Sequence, residues 1–487
     1  MLALYLPVLK FELMGDDFLL AQLAHAARHD WKLLFSGLDS FYRPSTTWSF
    51  IIDWFVWGHH AGGYHFTNVL LRIGNTVLLF FALRRIRFTA VGAWIVAFLW
   101  ACSPFSAEPV YTVGARIDEL LTACWLVLVA TWPRQEEAWS SSRLAVAGAA
   151  LIVGILTKET WIVTVGLVLA LELVQHGVGM RRALVSALPV AAFTALYLTL
   201  HLVLLPSGES YFTWSLAPLA KIPQEMGAFL YLEPFAPLAS RASPLGALGC
   251  VIVAAIAVLV WKHDRVAGTV GTALLVLPQL PTLFVPYLPT RYTSIPDIGF
   301  LTLMVAGVQQ LAAGLPRVFG RLAVAAGGAL GLIVAGVGVL TVRADLDDMR
   351  GLSSWHARLL GEARLAAGSL PVGLPIVVIR AERENPLPEL ALSFHGLPKL
   401  FYPRHADAYA LTDTSALFDW ALEREDLAVR RCETPRDDPC RGMGRVLVHS
   451  NAGFKLDPQP VPDVASGVRS LRERGFRVRA IRVGKIN

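Results

Sequence analysis

Residues 321–350 read RLAVAAGGALGLIVAGVGVLTVRADLDDMR. From Leu322 to Val342 no charge interrupts the chain; then Arg343, Asp345, Asp347, Asp348 and Arg350 follow within eight residues. Crossing roughly 30 Å of hydrocarbon at about 1.5 Å per residue takes about 20 apolar residues. The stretch is therefore a membrane-spanning helix, and the switch at Arg343 is a change of solvent. The whole chain carries the same break. Of 80 charged residues among 487, 41 lie from Arg343 onward and 39 in the first 342. Mean hydropathy is +0.52. A lipid-solvated bundle followed by a water-solvated tail excludes a cytosolic enzyme, a disordered chain and a coiled coil.

Working back from 321–342, further apolar runs occur near 66–83, 88–104, 118–132, 143–157, 160–175, 182–205, 244–261, 267–285 and 294–312. Met1–Met14, with Lys10 and Glu12, is too short to span. It lacks a basic n-region and a small-residue cleavage site, so it reads as the outer part of a first helix that starts upstream. About eleven spans are expected. Alternate loops are basic, at Arg84, Arg85 and Arg87, at Arg134 and Arg143, at Arg181 and Arg182, at Lys262 and Arg265, and at Arg317 and Arg321. These face the cytoplasm. The loops 15–64, 105–117 and 206–243, the turns near 157–160 and 286–293, and the tail face outward. The net charge of +6 is mostly this inside bias, and no basic-aromatic module points to nucleic acid. Cys102, Cys124 and Cys250 fall in spans. Cys432 and Cys440 lie eight apart in the outward tail, where either a disulfide or two thiols fits.

The informative polar residues sit on the outward side. Asp16-Asp17 is an adjacent acid pair at a helix mouth. It suits a general base with an orienting partner, or else a solvated cap for a helix starting at Phe18. Leu19, Leu20, Leu23 and Ala27, then Trp48, Phe50, Ile51, Trp54 and Trp57, recur as amphipathic stretches suited to the membrane surface. Tyr42 and Arg43 lie between them, and His65 and Asn68 close the loop. The second loop supplies Glu108, Arg116 and Asp118. There Arg116 would pair with Asp118 or hold a phosphate oxygen. Lys158-Glu159 reads as an ion pair between two apolar helices, and Arg291-Tyr292 adds another outer cation. Singly, each suits a snorkelling charge. Together they suit an anionic lipid headgroup and acid–base work.

Six segments, in order, resemble the GT-C fold glycosyltransferases, close to the protein O-mannosyltransferases and the TPR-containing mannosyltransferases with their bacterial relatives. They are GDDFLL at 15–20, FYRPSTTWSFIIDWFVWG at 41–58, GYHFTNVLLRIGN at 63–75, SPFSAEPVYTVGARIDELL at 103–121, TKET at 157–160 and PTRYTSIPDIGF at 289–300. Where that family has His-Pro-x-His, this chain has Ser103-Pro104 and Ser106. Where a second His is common it has Arg72, and no TPR repeats follow. The resemblance implies an inverting transfer of a sugar from a polyprenyl-phosphate donor to an acceptor hydroxyl of protein, glycan or lipid at the outer face. Asp16 would be the base, with Asp17 beside it. Glu108 and Asp118 would shape the acceptor or a metal site. Arg116, Lys158 and Arg291 would hold the donor phosphate. Tyr42, Arg43, His65, Asn68, Glu159 and Tyr292 would support them. No motif decides for or against a divalent cation such as Mg or Mn.

The expected architecture is thus a polytopic α-helical GT-C membrane domain over 1–343 and a small α/β extracytoplasmic domain over 344–487. A bacterial inner membrane, with the active site and tail facing the periplasm, is the implied location. In the tail a helix is expected over 345–368 and strands near 375–379, 445–449 and 476–483. A non-catalytic assembly subunit and a lipid or sugar transporter are the competing classes. A transporter would set its polar groups near the bilayer midplane, whereas here they gather at one face.

Overall fold

The computed structural model of the chain describes residues 2–14, 17, 20, 21, 23, 24, 27, 31–35, 42–134, 137–175, 179–204, 219, 221–232, 243–284, 290–367, 376–382, 445–450, 453–456 and 477–478. Helices of nine residues or more are α1 Pro44–Trp57, α2 Ala61–Arg85, α3 Ala90–Cys102, α4 Arg116–Thr131, α5 Ser141–Ile155, α6 Thr164–Gln175, α7 Met180–Leu204, α8 Lys221–Phe229, α9 Pro244–His263, α10 Arg265–Val276, α11 Ser294–Gly314 and α12 Arg317–Ala367. Each apolar run from 66 to 342 contains one of these helices, although the 267–285 run is α-helical only to Val276 and goes on in 3-10 turns. Six segments are long and apolar enough to cross a membrane: Ala61–Arg85, Met180–Thr199, Pro244–His263, Arg265–Leu283, Thr290–Gly314 and Arg317–Gly351. The chain is an integral membrane protein. α3 and α5 are apolar but shorter. Met1–Met14 departs from the expected helix: it holds one α turn, Leu2–Tyr5, and a 3-10 turn, Leu6–Lys10.

Helix starts follow the caps written in the sequence. Thr89, Ser140, Ser243 and Asp264 each accept from the backbone N–H three residues on. This satisfies a donor that the first helical turn leaves open. Small residues then allow close contacts. A Cβ on Gly299 of α11 would strike the Leu275 and Gly271 backbone of α10. The core beneath the outer polar residues is aromatic, with Trp100, Trp125 and Trp161 all buried and the last two edge to face at 6.1 Å.

The chain divides into two compact units, residues 1–9 with 31–347 and residues 10–30 with 348–487. In the second, Glu12 N–H donates to Ser353 Oγ at 2.8 Å. Four strands, β1 Ile376–Glu382, β2 Arg445–Ser450, β3 Gly453–Leu456 and β4 Arg477–Val478, form a sheet of order β3-β2-β1-β4. β1 and β2 are parallel, Val378 opposite Leu447, and the outer pairings are antiparallel. Cys432 and Cys440 lie outside the described residues.

Candidate functional site

Glu108 opens a one-turn helix, Glu108–Tyr111, between α3 and α4. Its carboxylate is buried and faces the 3-10 turn Thr290–Thr293 ahead of α11. Arg291 Nη1 lies 2.7 Å from Oε1, and Oε2 accepts from Arg291 N–H at 2.8 Å and Thr290 Oγ1 at 2.6 Å. One acid thus pins the whole 290–293 turn. Asp118 sits in the first turn of α4. It pairs with Lys158 from the turn after α5, and its other oxygen is 3.8 Å from Arg291 Nε. The Tyr292 ring lies 4.0 Å from Lys158 Nζ and 5.5 Å from the Arg291 guanidinium. Glu108, Asp118, Lys158, Arg291 and Tyr292, spread over 185 positions of sequence, are one cluster.

A narrow cleft of about 20 Å³, partly open to solvent, adjoins it. Asp118, Lys158, Arg291, Tyr292 and the Thr160 and Ser294 hydroxyls line one side, and Leu121, Pro278 and Ile295 supply apolar surface. Two cations thus border a small space that also has apolar lining. Burial draws Lys158 below the ordinary lysine range, while the Asp118 charge opposes that pull.

The expected Lys158–Glu159 pair is corrected. The two neighbours diverge: Glu159 receives Arg43 in a two-pronged bond, Nε at 3.0 Å and Nη2 at 2.6 Å. Burial works to raise the Glu159 carboxyl, but the Arg43 charge and bonds outweigh it and hold it below the usual range. The backbone carbonyl of Tyr42 accepts from Tyr197 Oη at 3.0 Å. Arg43 and Tyr42 thereby tie the entry of α1 to α7 and to the Lys158 turn.

Arg116 pairs with Asp53 rather than with Asp118. It is fully buried, with Nη2 2.5 Å from Asp53 of α1, and it donates to Asn68 Oδ1 at 2.6 Å and to the Tyr64 and Ser49 carbonyls at 2.9 and 3.4 Å. The Phe50 ring covers it at 4.6 Å. Asn68 passes the link on, donating to the Pro109 and Thr112 carbonyls at 2.8 and 3.2 Å. Arg116 therefore sets the second outer loop, Glu108 included, against α1 and α2. His65 is buried on the same helix. Asp53 was absent from the sequence expectation, though a lone acid among Trp and Ile on an outer stretch was its signal.

A second missed pair lies deeper. Arg72 of α2 and Glu119 of α4 are both 0% exposed and 2.8 Å apart. Asn75 donates to the Glu119 carboxylate at 2.6 Å, and Arg72 donates to Ser106 Oγ at 3.1 Å and stacks on Trp100 at 4.0 Å. Ionisable residues within spans are the sequence signal for such pairs.

Asp17 is buried, and its Oδ2 accepts from Met14 N–H at 3.0 Å, a turn-closing bond. Asp16 lies outside the described residues. Among the described residues no three His, Cys, Asp or Glu side chains converge as metal ligands. Glu108 and Asp118 are committed to cations, so these two acids fit a divalent ion poorly.

Comparisons with known proteins find one curated relative and similar solved structures. Protein O-mannosyl-transferase Tmtc1 of Drosophila melanogaster is 28% identical over 151 residues, which is 30% of this chain and 17% of that protein. The matched part is thus a small fraction of that relative's length. Two solved structures are also similar. ArnT from Cupriavidus metallidurans bound to undecaprenyl phosphate has 16% identity, covers 77% of this chain and 81% of its own, and gives a TM-score of 0.45. An Archaeoglobus fulgidus oligosaccharyltransferase tethered with an acceptor peptide has 12% identity, 77% and 61% coverage, and a TM-score of 0.46. No family model matches the chain.

Proposed function

We propose that the chain is an inverting glycosyltransferase that moves a sugar from a polyprenyl-phosphate donor to an acceptor hydroxyl at the outer membrane face. The observation that carries the reading is the gathering of Lys158 and Arg291 beside one partly apolar cleft. In the reaction, the bond between the anomeric carbon and the phosphate oxygen breaks as the acceptor oxygen attacks from the opposite side. Negative charge then grows on the leaving phosphate. Fixed cations that meet that charge supply what is usually the largest catalytic contribution.

Lys158 and Arg291 are the proposed phosphate holders, steered by Asp118 and Glu108, with Tyr292 beneath them. Arg116 keeps a positioning role through Asn68. Asp16 is the proposed base for the acceptor hydroxyl, and Asp17 shapes its turn. The proposed setting is a bacterial inner membrane with eleven spans, the site and the 344–487 domain facing the periplasm.

The test is to incubate purified protein with a panel of polyprenyl-phosphate sugars and follow transfer or hydrolysis. Asp16→Asn should abolish turnover while insertion and folding persist; turnover at the wild-type rate in that variant removes the assignment. Consumption of no donor favours a non-catalytic subunit.

A further inference from the structure

Asp297 belongs to the PTRYTSIPDIGF stretch, yet the cleft does not use it. It lies in the first turn of α11, and Glu225 lies on α8. Both are 2% exposed. Glu225 Oε1 and Asp297 Oδ2 are shielded from solvent and have no hydrogen-bond partner among the described residues. Ser103 donates to Asp297. Four other titratable or charged groups face the pair: Lys221, one turn back on α8, and Cys250 of α9 interact with Glu225, Arg72 of α2 and Tyr231 just past α8 interact with Asp297, and the Asp297 charge acts on Glu225.

The helix that carries Glu225 is wedged. A Cβ on Gly249 of α9 would sit 2.8 Å from the Gly227 nitrogen. The Phe229 ring touches Phe105 at 4.9 Å and Phe300 at 5.2 Å. The end of α8 is strained as well. Leu232 N–H reaches the Gly227 carbonyl at 2.9 Å and Tyr231 N–H the Ala228 carbonyl at 2.8 Å. That closing motif puts Tyr231 at φ 55, where glycine is the usual occupant. Glu225 cannot reach water unless this helix leaves its seat.

Two ionised carboxylates in such surroundings each lose hydration and repel one another. One bound proton removes a charge and turns an acceptor into a donor. A metal ion fits less well. Among the described residues no third ligand of the usual kind converges, and Lys221 and Arg72 already bring positive charge. We propose that Glu225 and Asp297 form a proton-binding site that holds one proton between them at neutral pH, and that this proton seats α8 in the bundle.

Burial first, and the Asp297 charge second, push Glu225 up to about 8, with Lys221 opposing. An acid raised in the folded state stabilises the fold fully below its ordinary value of 4.5. That contribution drains away as pH rises through about 8.

The experiment uses the purified full chain in detergent or nanodiscs. Infrared spectra of wild type minus Glu225→Gln at pH 7 should show the carbonyl stretch of a neutral carboxylic acid, fading by pH 9. The wild-type melting temperature should fall by several degrees between pH 5.5 and 9. In Glu225→Gln that slope should flatten, leaving the variant the more stable form at pH 9. Asp297→Asn, which also removes the repulsion, should flatten the slope too and stands in if the first variant fails to fold. No neutral-acid band, or an unchanged slope in both variants, overturns the proposal. So does sodium or calcium restoring wild-type stability at pH 9 but not that of Glu225→Gln, since the pair would then be a cation site.

Discussion

Two guanidinium groups of the bundle, Arg116 and Arg291, carry the same charge and do different work. Arg116 is fully buried and spends its donors on Asp53, Asn68 and two carbonyls. Arg291 is a quarter exposed, pairs firmly with Glu108, reaches Asp118 only at 3.8 Å, and borders the cleft. A guanidinium whose donors are all occupied within the protein serves architecture. One with a loose contact at the edge of a space can trade it for a ligand. The difference lies in burial and donor use, not in residue type.

The comparison can be broken by mutation. The largest effect is expected at Arg116. Arg116→Ala strands Asp53 as an unpaired buried charge and should cost about 3–5 kcal/mol of stability, read as a collapse of the melting temperature or of the folded yield. A melting temperature like wild type would contradict its architectural role. Arg72→Met should cost a similar amount by stranding Glu119. The double variant Arg72→Met with Glu119→Leu should recover most of it, because removing both charges also removes their desolvation. A double variant no better than the single one would show that Arg72 acts mainly through Ser106 and Trp100.

Arg291→Ala and Lys158→Met should separate from that pair. Each is expected to weaken binding of a polyprenyl phosphate about tenfold, roughly 1.4 kcal/mol. Arg291→Ala should lose less stability than Arg116→Ala because Glu108 keeps its bonds from Thr290 and the Arg291 N–H, whereas Lys158→Met strands the buried Asp118 and should lose stability as well. Binding titrations and melting curves on the same preparations check both halves. The smallest effect belongs to the basic turn around Glu137. Hydrogen bonds from Arg85, and then from Arg143, hold Glu137 down at about 2. Its contribution is present above the ordinary 4.5 and is lost as pH falls toward about 2. The group is partly exposed, so screening keeps the effect small. Glu137→Gln should lower the melting temperature slightly at pH 6 and scarcely at all near pH 2.

The apolar run at 322–342 and its nine counterparts were legible because a span must be long and nearly uncharged. Each of those ten runs contains an α-helix, the 267–285 run only as far as Val276. Single residues were legible where a charge on an outer loop stood out. Glu108, Asp118, Lys158, Arg291 and Tyr292 do meet, although five separate positions gave no hint of which acid holds which cation. Neighbours in sequence misled at Lys158-Glu159, because two adjacent residues at a turn point to different helices. Arg116 was expected beside Asp118, and packing sets it on Asp53. Asp53 and Glu119 were not singled out, Arg72 was noted only as standing where a second His is common, and tertiary contact alone makes them pairs. The short α3, at Ala90–Cys102, shows the limit of a length rule, since a turn with its own 3-10 and one-turn helices follows it at once.

The most direct test of the central claim is turnover of a polyprenyl-phosphate sugar by wild type and Arg291→Ala under identical conditions. The account predicts transfer or hydrolysis by the wild type, and a large loss in a variant that still folds and inserts. Equal turnover by both would contradict it.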